Sequence, residues 1–335
     1  MEAVRPTTIC PLARGPPRAV LKGSLKGRLR LGGSERRIGA VTERKGRAEL
    51  LTEASLLLAV FFLGTNFVAV KYAVGGFPPL PFVALRFTLA GLLLLGLLRI
   101  LSPKSWPGRR DPVFMAGVGV VGVGMNNVAF TIGVSLTTAS ETALIYAAVP
   151  IWGMILGSMF GLERPTRGGI VGVVVAIVGV GVVVGEGFGG GGESSLLGDL
   201  LVVVATVCWG SYAVLSLPLL RRYPPLVVAS LTMLFAGLAT MPVAVPGLWG
   251  TDWGEVGAGS WVAFAYSTVL VAAFGFWAWQ RGISGVGANR ALVYQYLINL
   301  VGVASGVLLL GESLTATKIL GGVVILLGVY LARRR

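Results

Sequence analysis

The sequence predicts an all-α integral membrane protein with ten transmembrane helices, built as two inverted five-helix repeats. The first observation is composition: 55% of the residues are hydrophobic and only 13% are charged. That leaves too little charge to cover the surface of a soluble globule. The second is the recurrence of apolar runs of about 20 residues, the length that crosses a bilayer core. The third is a set of identical residues at a constant spacing in the two halves.

The chain begins with a basic segment that has no apolar periodicity. Residues 1–50 carry twelve basic and four acidic side chains and are rich in Gly and Pro. We expect this segment to be a disordered cytoplasmic tail. Two interpretations stay open: it is attracted to anionic lipid, or translation begins further downstream and the tail has no role. It has no cleavable signal-peptide pattern, so the first apolar run is expected to direct insertion.

Cysteine and histidine usage excludes several kinds of site. Cys10 and Cys208 are the only cysteines, and histidine is absent. The sequence therefore predicts no disulfide framework, no metal and no cofactor. The net charge of +14 is concentrated in the tail and not on a folded surface, so we expect no nucleic-acid partner.

Ten spans follow from the apolar runs. Several are separated by only a short Gly- or Pro-bearing turn, which makes consecutive helices antiparallel neighbours. The predicted spans are 55–74, 81–101, 112–131, 138–160, 168–185, 197–217, 225–246, 260–280, 287–310 and 316–332.

An acidic hinge occurs twice and reveals the duplication. The hinge "LERPTRGG" at Leu162 and the hinge "LGESLTATKILGG" at Leu310 align at an offset of 149 residues, and the proline-bearing turns early in each half align at 146. We predict a first repeat at 51–187, a Gly-rich flexible linker at 188–196 and a second repeat at 197–335. Because five spans per repeat is an odd number, the second repeat is inverted in the membrane. Such repeats are common in secondary transporters that work by alternating access.

Charge in the loops predicts the orientation. With the N-terminus inside, the inner loops and the C-terminus carry thirteen Arg and Lys residues, whereas Lys71, Arg86 and Lys318 are the basic residues near the outer side. This asymmetry follows the positive-inside rule. We predict a multi-pass protein of the cytoplasmic membrane with both termini cytoplasmic.

The sequence resembles a known transporter family. The ten spans in two copies, the stretch "FPPLPFVALRFTLAGLLL" in the second span, and the Gly-Glu hinge before the last helix of the second half are similar to the EamA type of the drug/metabolite transporter superfamily. The resemblance covers about residues 55–332. It implies efflux of a metabolite or amino acid through a central cavity lined mainly by the third, fourth, eighth and ninth spans, and it leaves the substrate open.

Polar residues inside spans are candidates for substrate binding, because they are costly in lipid. Two interpretations stay open for each: a hydrogen bond between helices or a side chain that faces a cavity. In the ninth span, Gln295 and Asn299 lie one helical turn apart and share a face. The predicted substrate-binding residues are Asn126, Asn127, Tyr146, Tyr294, Gln295 and Asn299.

Three charged residues near the outer side form a second candidate site. Lys71 and Arg86 are the expected partners of Glu141. Such a cluster could bind a zwitterion or a carboxylate-bearing solute, or Glu141 could carry a coupling proton. The alternative is snorkelling and structural pairing at helix ends, which is favoured because charges there reach the interface cheaply.

Other polar and aromatic features receive structural interpretations. Glu163 and Glu312 each precede a helix and are expected to cap it. The aromatic residues of "FGFWAWQR" in the eighth span are expected to form an interfacial belt, with a binding platform as the alternative. The glycine-rich runs of the third and fifth spans are expected to let helices approach closely.

The predicted function is therefore a secondary transporter and not an enzyme. Two other classes stay open: a membrane enzyme acting on lipid-linked substrates, for which we find no catalytic group beyond Glu141, and a passive channel. The expected partners are a small-molecule substrate and membrane lipid, and a homodimer is also considered.

Overall fold

The computed structural model describes residues 26–101, 107–108, 111–159, 161, 167–185, 195–286 and 288–333. Regular structure in these ranges is helical throughout. Contacts divide the chain after Ala48, and the unit Glu49–Arg335 contains all the sites described below.

The described helices group into ten segments, which we number in chain order. They are α1 (Lys26–Ala73), α2 (Pro79–Leu101), α3 (Asp111–Leu136), α4 (Ala139–Met159), α5 (Arg167–Gly185), α6 (Leu196–Leu220), α7 (Pro225–Gly250), α8 (Ala258–Ser284), α9 (Ala288–Leu310) and α10 (Ala316–Arg333). Eight segments are long and apolar enough to cross a membrane, α1 with its part Leu50–Ala73. In α9 and α10 the described apolar parts, Tyr294–Leu310 and Ala316–Ala332, are shorter. Helix α1 begins at Lys26, within the segment for which we expected disorder.

Local sequence signals mark several helix ends. Thr138 caps the start of α4, since its side chain accepts a hydrogen bond from the Glu141 N–H at 3.1 Å. Gly161 and Gly311 follow the ends of α4 and α9 with φ of +68°, a left-handed conformation in which glycine has no Cβ penalty. Glu163 lies outside the described residues, so the predicted capping by this side chain stays a prediction.

Three helices contain irregular turns where they pass the interior. Helix α3 has a π-helical stretch at Val120–Met125, and α8 has one at Ser267–Gly275. Helix α4 is interrupted between Tyr146 and Val149. Such turns often accompany functional sites. Here they place Asn126, Tyr146 and Phe276, which border the irregular turns, at the cavity described below.

Glycines bring α5 and α10 into backbone contact. A Cβ added to Gly172 would lie 2.2 Å from the Ala332 nitrogen, and one added to Gly179 would lie 2.6 Å from the Ile325 nitrogen. Neither space can accept a methyl group, because real Cβ atoms do not approach backbone this closely. The glycines of α5 therefore serve close helix packing, as the sequence predicted.

Helices α2 and α7 also meet through a pair of glycines. A Cβ on Gly91 would lie 2.6 Å from the Leu234 nitrogen, and a Cβ on Gly237 would lie 2.3 Å from the Thr88 nitrogen. Each glycine therefore abuts the backbone of the opposite helix.

Apolar side chains cover the outside of the unit. On α5 they are exposed along one face, and the same holds on α10. A surface of this kind matches hydrocarbon as its solvent. The exposed residues of α5 are Ile170, Val171, Val174, Ile177 and Val178.

Candidate functional site: a central cavity and a buried charged network

A cavity with about 460 Å³ of space free of atoms lies among seven of the helices. Four of the six residues predicted to bind substrate line it, together with Arg86 from the predicted charged cluster. The lining residues are Leu63, Asn66 and Phe67 of α1, Arg86 of α2, Asn126, Asn127 and Phe130 of α3, Tyr146 of α4, Trp209 of α6, Phe276 of α8, and Gln295 and Ile298 of α9.

Arg86 provides the only charged side chain of the lining. It is fully buried, and it donates from Nε to the Ser267 carbonyl and from Nη2 to Asn66 Oδ1, both at 3.1 Å. Its Nη1 atom has no hydrogen-bond partner among the described residues. The guanidinium carbon lies 5.0 Å from the ring centroid of Phe87 and 5.7 Å from that of Phe82, contacts that favour a cation. Within the described ranges, Arg86 forms no ion pair with an acidic side chain.

Asn126 and Asn127 both line the cavity and join helices. The Asn126 amide nitrogen donates to Tyr146 Oη at 3.0 Å and to the Ala205 carbonyl at 2.7 Å. The Asn127 amide nitrogen donates to Asn126 Oδ1 at 2.9 Å and to the Val123 carbonyl at 3.0 Å. The structure therefore supports both interpretations of the two asparagines, as hydrogen-bonding residues between helices and as residues that face the cavity. The bond to Val123 also satisfies a carbonyl of the π-helical stretch.

Gln295 and Asn299 share one face of α9, as their spacing predicted. Gln295 Oε1 accepts from Trp209 Nε1 at 3.4 Å, and its Nε2 lies 3.5 Å from Asn299 Oδ1. Asn299 is buried behind Gln295, and its Nδ2 atom has no partner among the described residues. Tyr294 instead packs partly buried against the apolar core and does not line the cavity.

Aromatic rings form two walls of the cavity. Phe67, Phe130 and Tyr146 meet edge to face, with centroids 5.5–5.6 Å apart. On another side, the Trp209 ring lies 5.1 Å from Phe276. The cavity therefore offers one cation and several amides against aromatic walls, a lining that suits a solute with an anionic group and an apolar body.

The aromatic stretch of α8 does not form the interfacial belt that we expected. Phe276, Trp279 and Gln280 are buried, and Phe276 lines the cavity. Gln280 donates to Tyr212 Oη at 2.7 Å. The π-helical stretch before Phe276 shifts the register of the helix, which the sequence pattern did not indicate.

A second polar group gathers where α1, α4, α6 and α10 meet. Lys318 Nζ lies 3.2 Å from Glu141 Oε2, and both side chains are buried. The Thr137 hydroxyl lies 3.3 Å from the same Glu141 oxygen and 2.7 Å from Asp199 Oδ1. We call Lys71, Thr137, Glu141, Asp199, Glu312 and Lys318 the charged network.

Glu312 caps a helix of the other half of the chain. Its carboxylate accepts hydrogen bonds from the Ala139 N–H at 2.8 Å, the Ser140 N–H at 2.7 Å and the Ser140 hydroxyl at 2.6 Å. Lys71 Nζ lies 4.0 Å from the same carboxylate and donates to the Thr137 carbonyl. The capping interpretation was correct in kind, but the capped helix is α4 and not α10, the helix that follows Glu312.

The predicted cluster of Lys71, Arg86 and Glu141 is divided between two places. Arg86 belongs to the cavity, while Glu141 pairs with Lys318, and Lys71 interacts with Glu312. Arg86 was expected near the outer side, but it lines the cavity together with the amides of α3 and α9. The partner of Glu141 is instead Lys318, which comes from a distant part of the chain.

Sequence reasoning also missed several residues of both sites. Asn66 and Trp209 line the cavity, and Asp199 joins the charged network. Asn66 is an amide inside a span, the same signal that identified Asn126. Asp199 lies in the first turn of α6, close to the predicted Gly-rich linker, and no feature of the sequence indicated that it is buried.

A helical bundle that exposes apolar side chains and has an amide- and arginine-lined cavity defines a multi-pass membrane protein. The chain belongs to the EamA-like transporter family, which it matches over residues 50–185 and again over 196–334. Membership in this family indicates a transporter and not an enzyme.

Curated relatives carry transporter names. The chain is 27% identical to a protein of Archaeoglobus fulgidus named uncharacterized transporter, over 84% of this chain and 98% of that protein. It is 26% identical to a probable terminal-alkyne amino-acid exporter of Streptantibioticus cattleyicolor, over 84% and 93%. It is also 26% identical to a probable amino-acid metabolite efflux pump of Salmonella typhimurium, over 82% and 92%.

One solved structure has the same fold. A crystal structure with 19% sequence identity superimposes with a TM-score of 0.58, covering 84% of this chain and 97% of the other.

Proposed function

We propose that this protein is a secondary transporter that exports a small metabolite bearing a carboxylate, an amino acid or a related solute, across the cytoplasmic membrane by alternating access. The observation that carries the proposal is Arg86, a fully buried cation that lines the cavity and has no carboxylate partner among the described residues. A buried charge without a counter-charge is costly, of the order of 3–5 kcal/mol when a partner is removed. A ligand carboxylate would supply that partner.

The geometry of Arg86 suits this role. Ser267 and Asn66 hold two of its nitrogens, which fixes the guanidinium plane, and Nη1 has no acceptor within the part of the chain that the structure describes. A guanidinium pairs with a carboxylate through two parallel hydrogen bonds more readily than an ammonium does. The aromatic walls then favour a ligand with an apolar or aromatic body. The two relatives named for amino-acid export agree with this class of solute.

Reciprocal contacts support the ten-span inverted duplication. The offset of 146 residues carries position 88 to 234 and Gly91 to Gly237. Gly91 packs against Leu234, and Gly237 packs against Thr88, so each contact is the image of the other under a two-fold axis. Contacts of this kind are the signature of an isologous interface. Together with the two family matches in one chain, they favour a site between halves that can open to either side.

The membrane placement is proposed on the same grounds. The positive-inside pattern favours cytoplasmic positions for both termini, and the exposed apolar faces of α5 and α10 would contact lipid. The homodimer stays a prediction, and so does the disordered character of residues 1–25, which lie outside the described residues.

Counterflow in proteoliposomes tests the proposal. Vesicles loaded with unlabelled phenylalanine or leucine are diluted into trace labelled amino acid, and we expect a transient, saturable accumulation of label that requires the protein. Flux that rises linearly with concentration and shows no counterflow would contradict a carrier and indicate a pore. Chemical conversion of the label in the same assay would contradict transport and indicate an enzyme.

A further inference from the structure

The charged network contains more acidic than basic groups in a buried place. Of its five ionisable side chains, Lys71 comes from α1, Glu141 from α4, Asp199 from α6 and Lys318 from α10, while Glu312 lies between α9 and α10. Three are carboxyls and two are ammonium groups. If all five were ionised, the network would hold a net charge of −1. Glu141 and Asp199 are fully buried, where an uncompensated charge is costly.

The Thr137 hydroxyl cannot serve both carboxyls of the network when both are ionised. The Thr137 hydroxyl has a single proton but lies within hydrogen-bonding distance of both Glu141 Oε2 and Asp199 Oδ1. A hydroxyl can donate to only one of two carboxylates, so the other contact would join two lone pairs. Asp199 Oδ2 has no partner among the described residues and no exposure to solvent.

The partners of Glu312 show that it is not the carboxyl that lacks a donor. It accepts from two backbone N–H groups and the Ser140 hydroxyl at the start of α4. Bonds of this kind stabilise an ionised carboxylate. Glu141 likewise has Lys318 at 3.2 Å. The missing hydrogen therefore falls on Glu141 and Asp199, which the Thr137 hydroxyl bridges.

We infer that Glu141 and Asp199 form a proton-binding site that holds one proton, shared through Thr137. The proton adds the missing donor and makes the network neutral, so that two ammonium groups face two carboxylates. Release of this proton breaks one carboxyl O–H bond, transfers the proton to water and leaves a net negative charge where four helices meet. Deprotonation therefore destabilises the packing of the four helix ends at the network. By linkage, a conformational change that separates these ends lowers the affinity of the site for the proton.

The position of the network gives the site its role. It ties the end of α1 and the starts of α4, α6 and α10 to one another, which by the predicted orientation is the outer end of the bundle. As a coupling site for alternating access, the inference rests on the proposed function. As a proton-binding site, it can be tested without any substrate.

Infrared spectroscopy of the purified protein at neutral pH provides the test. We expect a C=O stretching band from one buried protonated carboxyl group, which shifts in heavy water and disappears on alkaline titration. Both Asp199→Asn and Glu141→Gln should abolish it, because each removes one member of the pair. Glu255→Gln, which changes an exposed carboxylate, should leave it unchanged. The two pair variants serve as alternatives if one of them does not fold.

Three outcomes would overturn the inference. Absence of the band in the wild-type protein would mean that both carboxyls are ionised. Persistence of the band in both pair variants would place the proton elsewhere. Loss of the band when sodium chloride replaces choline chloride would identify a metal-cation site in place of a proton site. None of these results depends on transport, so failure here is distinguishable from failure of the counterflow experiment.

Discussion

The Glu312 carboxylate accepts a hydrogen bond from the Ser140 N–H at 2.7 Å and so connects the second half of the chain to the first helical turn of α4. Three hydrogen-bond donors of this turn donate to the same carboxylate. The favourable partial charge at a helix N-terminus adds to these bonds. The acidic hinge before α10 therefore connects the two halves of the chain through hydrogen bonds.

Removal of this carboxylate should destabilise the protein. Glu312→Ala leaves the N–H groups of Ala139 and Ser140 without an acceptor, and we expect a loss of about 2 kcal/mol. Thermal unfolding in detergent measures it. Glu312→Gln keeps one acceptor oxygen and should lose less. Equal stability of Glu312→Ala and the surface variant Glu255→Ala would contradict the capping role.

Two glycines on α5 should respond in opposite ways to the same substitution. Gly172→Ala places a methyl group against the backbone of α10 and should cost about 1–3 kcal/mol. Gly181→Ala adds a methyl group where no atom lies within 4 Å, and it should be neutral or stabilise by up to about 1 kcal/mol. The comparison uses one helix and one chemical change. A similar loss of stability in both variants would show that α5 and α10 are not in contact at Gly172.

Tyr223 should titrate abnormally at the end of the bundle opposite the charged network. Its hydroxyl donates to the Asp111 carboxylate, and this bond raises the pKa of Tyr223 above the ordinary value because ionisation would remove the donor. The contribution to stability is present below the ordinary tyrosine pKa and is lost as pH rises through the raised one. The tyrosinate absorbance difference between wild type and Tyr223→Phe measures the pKa, which Asp111→Asn should lower. An unchanged pKa in Asp111→Asn would contradict the contact.

Adjacent residues on α9 should differ in their effect on ligand binding. Gln295 lines the cavity, whereas Tyr294 packs against the core. We expect Gln295→Ala to weaken binding of the transported solute by about tenfold, the loss of one buried hydrogen bond, while Tyr294→Phe leaves it unchanged. Counterflow at varied solute concentration compares the two. A larger effect at Tyr294 would place the site on the other face of α9.

Sequence reasoning found the helices and half of the site because both depend on local chemistry. Hydrocarbon runs predict spans, and amides such as Asn126 and Gln295 inside them predict a polar interior. The partners of charged residues were not predictable in the same way. Lys318 reaches Glu141 from 177 positions along the chain, so the pair depends on tertiary packing and has no local sequence signal.

Irregular turns account for the remaining differences. The sequence before Phe276 is apolar and small, a pattern that an α-helix and a π-helical stretch share. The π-helical register turns Phe276 and Gln280 inward. The interfacial belt was predicted on the assumption of a regular α-helix. The residues around Phe276 do not follow regular α-helical geometry.

The most direct test of the central claim compares free carboxylates with their amides in thermal unfolding of the purified protein. Phenylalanine and leucine are tested beside phenylalaninamide and leucinamide, within a panel of amino and organic acids. We expect carboxylates to stabilise the wild type, by about 2.7 kcal/mol at a ligand concentration 100 times the Kd, and their amides not to do so.

The Arg86→Gln variant completes this measurement. The stabilisation should vanish in the variant, because the guanidinium that pairs with the carboxylate is gone. Equal stabilisation by acids and amides, a stabilisation that survives in Arg86→Gln, or no stabilisation by any carboxylate of the panel would contradict the assignment of Arg86 as the carboxylate partner.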